Sequence, residues 1–146
     1  VKAHNRPAPP PVVIDVTYCN SDAGKAEDMA RKYISSYYLS VLEHYEFLED
    51  YHRDMKGYEA YAGAVDILKA AGKEQSLEDY VNVQAYGTPQ QILDKLEKRR
   101  EVVGDFEWSV MMSYAGMPHD EVEKSMRLFG KEVLPEVKSW GVETAA

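Results

Sequence analysis

Hydrophobic and polar positions change rhythm several times along this chain. Val12-Val13-Ile14-Asp15-Val16-Thr17-Tyr18-Cys19 is a short run rich in β-branched residues, bounded by proline before it and Asn20-Ser21-Asp22 after it. That composition predicts a largely buried strand, in which Asp15 is the one awkward residue. Next, Ala26, Met29, Ala30, Tyr33, Ile34, Tyr37, Tyr38, Val41, Leu42 and Tyr45 recur at spacings of three and four. They predict a long amphipathic helix reaching about Tyr51, with Asn20, Ser21 or Asp22 as its cap. A second helix is expected from Tyr58 to Ala71, stopped by Gly72.

Ser76 is expected to cap a short turn over Leu77 to Tyr80, and Val81 to Tyr86 alternates like a strand. Thr88 suits an N-cap and Pro89 the first helical position, so a helix should run from Pro89 to about Val103, ending at Gly104. Its inner face would carry Ile92, Leu93, Leu96, Arg99 or Arg100, and Val103. Phe106 to Tyr114 reads as a further strand, and Gly116-Met117-Pro118 as a loop. His119 or Asp120 opens a last helix, which Pro135 should end or bend near Leu134.

The resulting order is strand, helices, strand, helix, strand, helix. Strands separated by helical crossovers do not form hairpins, so the expected fold is α/β with about three parallel strands and long helices. One domain is expected, because 146 residues suffice for a single core. Residues 1–11 would be an extended Pro-rich lead-in, 12–138 the folded segment and 139–146 a flexible tail.

Composition narrows the function classes. A net charge of -8 with scattered Lys and Arg argues against nucleic acid, and no apolar run approaches a membrane span. A single cysteine, Cys19, excludes an internal disulfide, and the expected location is cytoplasmic. Cys19 has no base near it in sequence and reads as a buried thiol rather than a nucleophile. His44 and His52, with Glu43, Glu46, Glu49 and Asp50, lack metal-ligand spacing and read as a solvated helical face, so no metal is expected. His119 reads as a cap or surface residue, and the tyrosine stripe of the long helix as core packing with phenolic tips at the edge.

Several segments together resemble the C-terminal end of luciferase-like flavin-dependent monooxygenases. They are Gln84-Ala85-Tyr86-Gly87-Thr88-Pro89-Gln90-Gln91-Ile92-Leu93, Gly104-Asp105-Phe106, and Ser125-Met126-Arg127-Leu128-Phe129-Gly130-Lys131-Glu132-Val133-Leu134-Pro135. Tyr45-Glu46-Phe47 and Lys56-Gly57-Tyr58-Glu59-Ala60-Tyr61 are similar to the family's helical insertion, so the resemblance runs from about Pro11 to Lys138.

The resemblance implies the C-terminal part of a (β/α)8 TIM barrel, which needs eight strands and about 250 residues to close. It implies oxidation of a small organic substrate with O2 by reduced flavin mononucleotide (FMN), with a deazaflavin as the alternative cofactor. Most flavin-binding groups would lie on strands this chain lacks, so it is expected to be inactive alone. Ligands in such barrels sit at the C-terminal ends of strands, here Cys19 and Asn20, Tyr86 and Gly87, and Tyr114 to Met117. Tyr114, Gly116 and Met117 are the candidate cofactor-binding residues, and no catalytic residue is assigned. Surfaces left uncovered by the missing strands imply a homo-oligomer, or a non-catalytic self-associating module.

Overall fold

The computed structural model describes residues 9–46, 49 and 55–140; the side chains of Glu59, Ala60 and Ala62 lie outside it. Among the described residues two strands, β1 (Val12–Val16) and β2 (Glu107–Met111), and six helices follow one another as β1-α1-α2-α3-α4-β2-α5-α6. The strands pair in parallel, Val12 opposite Glu107 through Val16 opposite Met111. The Thr17 amide continues the ladder to the Met111 carbonyl at 2.9 Å.

Helix α1 (Ala23–His44) starts where the Asp22 carboxylate accepts the Lys25 amide, satisfying one of the orphan donors of the first turn. It ends seven residues before the expected Tyr51, because Glu46 turns left-handed at φ 49° after the Tyr45 cap. Residues 47, 48 and 50–54, where the remainder of that expected helix falls, are outside the described residues. Helix α2 (Glu59–Ala71) is as expected, with Gly72 at its C-cap at φ 83°.

The expected strand Val81–Tyr86 is corrected by the structure. Helix α3 (Lys73–Val83) starts directly after Gly72 and runs through Ser76, which is buried inside it instead of capping it. Val81 is helical and fully packed, and the chain extends only from Gln84 onward. Alternation over six residues is weak evidence against tertiary forces, and here three consecutive carbonyls at the end of α3 find cations. Lys95 Nζ donates to Asn82 and Gln84 oxygens at 3.0 and 2.6 Å, and Arg99 Nη2 to the Val83 oxygen at 2.8 Å. Those bonds satisfy carbonyls that a helix end leaves open.

The expected three parallel strands therefore become two, plus one parallel bridge between Cys19 and Gly87. Gly87 donates to the Tyr18 carbonyl at 3.0 Å and accepts from the Asn20 amide at 3.1 Å. Successive residues of a strand point their amides to opposite sides, so this bridge lies on the edge of β1 away from β2. Nearer the middle of that edge a side chain takes over: Gln84 Oε1 accepts the Val16 amide at 2.9 Å.

Helix α4 (Pro89–Val103) carries a complete capping box between Thr88 and Gln91, with Pro89 in the first turn and Gly104 after the last. Helix α5 (His119–Glu132) and helix α6 (Leu134–Ser139) meet at the bend anticipated near Leu134. Helix α6 thus reaches into the expected flexible tail, and residues 141–146 are outside the described set.

Side-chain alternation divides the core. Val16, Tyr18 and Met111 join Ala30 and Ile34 of α1 and Val81 of α3 on one side. Cys19, Trp108, Val110 and Met112 join Ile92, Leu93 and Leu96 of α4 and Phe129 of α5 on the other. Val12 and Ile14, at the start of β1, stay 60% and 66% exposed.

Candidate functional site

Most of the residues named from the sequence collect at the C-terminal edge of the two strands. Tyr114 and Met117 are buried with Val16, Tyr18, Tyr86 and Val122 in one cluster. The turn that carries them closes with the Met117 amide on the Tyr114 carbonyl at 3.0 Å, and both of its central residues, Ala115 and Gly116, are left-handed. Gly116 is suited to that conformation at φ 72°, whereas Ala115 at φ 50° is the unusual member.

Tyr114 is 7% exposed, its ring meets Tyr37 edge-on at 6.3 Å, and its hydroxyl has no hydrogen-bond partner among the described residues. Burial, with the Tyr18 and Tyr80 phenols as further neighbours, pushes its pKa above the ordinary phenol value. A neutral phenol is thus held with no acceptor among the described residues, and a buried donor left unpaired costs about 1–3 kcal/mol.

Beside it lies a charged lock. Tyr18 donates to Glu121 at 2.8 Å and accepts from Asn20 Nδ2 at 3.1 Å. Lys25 reaches the same Glu121 oxygen at 2.8 Å and Lys124 the other at 3.0 Å. Hydrogen bonds from Lys25, Lys124 and Tyr18 pull the Glu121 carboxyl down to about 2. Desolvation, followed by the Glu121 contact, raises Tyr18 to about 12 even though the Asn20 bond works in the opposite direction. Tyr18 and Glu121 therefore stay neutral and ionised at physiological pH. They tie the β1–α1 turn to the first turn of α5 and do not exchange protons there.

Cys19, 1% exposed, is pushed up to about 12 by burial and then by Glu132, and its amide donates to Ser125 Oγ at 2.8 Å. Its chemistry is that of a packed thiol. His119 is exposed at the start of α5, after Pro118. Of the residues considered for a metal, His52 and Asp50 fall outside the described set.

Tyr86 borders a polar cleft of about 370 Å³ between α1 and α4, with Glu27, Arg31, Asn82, Asp94 and Lys95. Lys95 Nζ stands 4.2 Å from the Tyr86 ring centre. Burial lowers its pKa, while the ring and two carbonyls engage the ammonium. Its hydrogen bonds are spent on closing α3, which makes this cleft a structural joint.

Tyr114 and Met117 are closed into the core, with Met117 5% exposed. The described residues of this edge supply one unpaired phenol and no second wall for a flavin ring. They do not by themselves fit a complete isoalloxazine site.

No protein-family model matches the sequence, and no curated protein matches it. Among solved structures, the chain is similar to the monooxygenase RslO1 from Streptomyces bottropensis, with a TM-score of 0.56 and 18% identity over 93% of this chain. The match takes in 34% of that chain, so this sequence spans about a third of the length of the solved protein it resembles. What the likeness establishes is a fold: a helix-rich α/β arrangement shared with part of a monooxygenase.

Proposed function

We propose that this chain is the C-terminal segment of a flavin-dependent monooxygenase of the luciferase-like barrel type, inactive alone. The observation that carries the reading is the alignment of nearly the whole chain with one third of a monooxygenase. The Gly87-Thr88-Pro89 turn opening α4 and Leu134-Pro135 at the end of α5, both part of the sequence resemblance, support it.

In this reading Gly116, exposed on its turn, borders a pocket whose other walls lie on strands outside these residues, with Tyr114 and Met117 packed directly behind it. When bound, FMN supplies the oxygen-activating chemistry, and a deazaflavin remains the alternative cofactor. Tyr114 holds a neutral phenol beneath the Ala115-Gly116 turn, and Met117 keeps water from that end. The substrate is a small organic molecule.

Two measurements test this. FMN fluorescence titrated with the purified chain should show weak quenching or none, and tight one-to-one binding would overturn the incomplete-site view. The coding sequence upstream of Val1 should continue in frame through alternating strands and helices toward the roughly 250 residues of a closed barrel. A stop codon immediately upstream would sink the segment reading.

A second reading, a self-associating non-catalytic module, is favoured by the 60% and 66% exposure of Val12 and Ile14 on a two-stranded parallel sheet. Parallel sheets are normally covered on both faces. Light scattering showing a strict monomer at high concentration would count against it.

A further inference from the structure

A cleft of about 450 Å³ opens at the other end of the sheet, where Pro10 leads into β1 and Asp105 and Phe106 lead into β2. Its walls include Phe106, Trp108, Trp140 and Val137, and the Arg100–Asp105 ion pair stands with them. The three aromatic rings are only half-buried although they border the core around Phe129. Trp108 is fixed in place: its indole N–H donates to the buried Asp15 at 2.6 Å and its ring lies 5.6 Å from Phe129. A fixed indole bordering a cavity gives a flat ring something to pack on.

The polar partner chooses the ligand's charge. Arg100 Nε binds Asp105 Oδ1 at 2.8 Å, so the pair is neutral as a unit while keeping donors on the guanidinium and an acceptor on the carboxylate. A carboxylate ligand would meet Asp105, and a cationic ligand would meet Arg100. A hydroxyl satisfies both, donating to Asp105 and accepting from Arg100. The volume falls in the range of small-molecule sites, and the lining combines aromatic surface with one polar pair at the solvent-facing rim, Arg100 43% and Asp105 63% exposed.

We propose that this cleft is a binding site for a neutral, planar hydroxyarene, seated between Trp108 and Trp140 with its hydroxyl on the Arg100–Asp105 pair. The site is remote from Tyr114 and stands or falls independently of the flavin reading.

The chain has two tryptophans, and both border this cleft, so intrinsic fluorescence reports on it directly. The test titrates the full chain with 2-naphthol, with naphthalene and with 2-naphthoate, following tryptophan quenching and confirming affinities by calorimetry. Saturable one-to-one quenching by 2-naphthol is expected, about fivefold or more tighter than naphthalene, as one hydrogen bond to a charged group provides, with 2-naphthoate weaker than either. Val137→Phe, which fills the cleft from a half-buried position, should weaken 2-naphthol by about tenfold or more. The double change Arg100→Met with Asp105→Leu, which removes both partners of the hydroxyl, should bring 2-naphthol and naphthalene to equal affinity.

Circular dichroism on both variants checks that the fold is kept. The ligand series on the unaltered chain decides the matter even if a variant does not fold. Absent saturation, 2-naphthoate as tight as 2-naphthol, or an affinity indifferent to Val137→Phe in a folded protein would each overturn the proposal.

Discussion

Arg99 of α4 grips Asp15 of β1 from 84 residues away, one guanidinium nitrogen on each carboxylate oxygen. The Trp108 indole and the Ala85 amide, at 2.6 and 3.0 Å, complete the set of donors to that carboxylate. Asp15 is 2% exposed and Arg99 15%. The pair fixes α4, the end of α3 and both strands at one point. Removing one partner of a buried pair leaves a stranded charge, so Arg99→Met should cost about 3 kcal/mol. The double change Asp15→Leu with Arg99→Met should recover part of that loss, since an apolar pair of similar volume avoids the desolvation. Urea unfolding of the single and double variants measures both; a single variant within 1 kcal/mol of the parent, on the order of an exposed pair's worth, would show the grip contributes little.

Gln84 does the work of a missing neighbour strand at Val16. Its side chain accepts the Val16 amide and donates to the Tyr80 carbonyl at 3.1 Å. Gln84→Ala should destabilise the chain by about 1–3 kcal/mol by orphaning a buried donor. Hydrogen exchange should speed up at the Val16 amide more than at Thr17, whose amide is held by Met111.

Thr88→Ala should remove about 1 kcal/mol by breaking the capping box of α4. Gly87→Ala should cost more. At φ 135° an added Cβ would stand 2.7 Å from Gln91 Oε1 and 2.9 Å from Gln91 Cβ, so it strains the backbone and disturbs the capping side chain together. Thermal melts of the two variants give the order.

Glu121 predicts an acid limb. Its folded-state pKa lies near 2, below its ordinary 4.5, so the folded chain binds the proton less readily than the unfolded one. The stabilisation is fully present above about pH 4.5 and is lost as pH falls toward 2. Glu121→Gln should flatten stability between those values while lowering it at pH 7. An unchanged acid limb would show that the Lys25, Lys124 and Tyr18 contacts do not hold the carboxylate in solution.

Cys19 should resist alkylation. With its folded-state pKa near 12, the thiolate fraction at pH 8 is about a hundredfold or more below that of an unfolded thiol, and burial adds to the effect. Iodoacetamide labelling in buffer and in urea, read by mass, makes the comparison; equal rates would place Cys19 at the surface.

Local chemistry settled much of this molecule in advance. Thr88, Pro89 and Gly104 bound α4, Gly72 ends α2, and the every-fourth-residue spacing of Ala26, Ala30, Ile34, Tyr38 and Leu42 supplies the buried stripe of α1. Caps, prolines and periodic apolar faces act within one or two turns, so a sequence displays them directly. Asp15 also signalled its need for a partner, a lone carboxylate in an apolar strand, without saying which cation would come.

What only the tertiary structure decided was the fate of residues 81–87 and the sets of charges that meet across the chain. The same alternation permits a strand or a helix end; Lys95 and Arg99 closing the α3 carbonyls, and Gln84 covering Val16, select the helix end. Tyr18 and Glu121 meet across 103 residues, with Lys25 and Lys124 on the same carboxylate, and Cys19 meets Ser125 across 106. Such pairings depend on the path of the backbone between them, and their energy exists only after the intervening helices have packed.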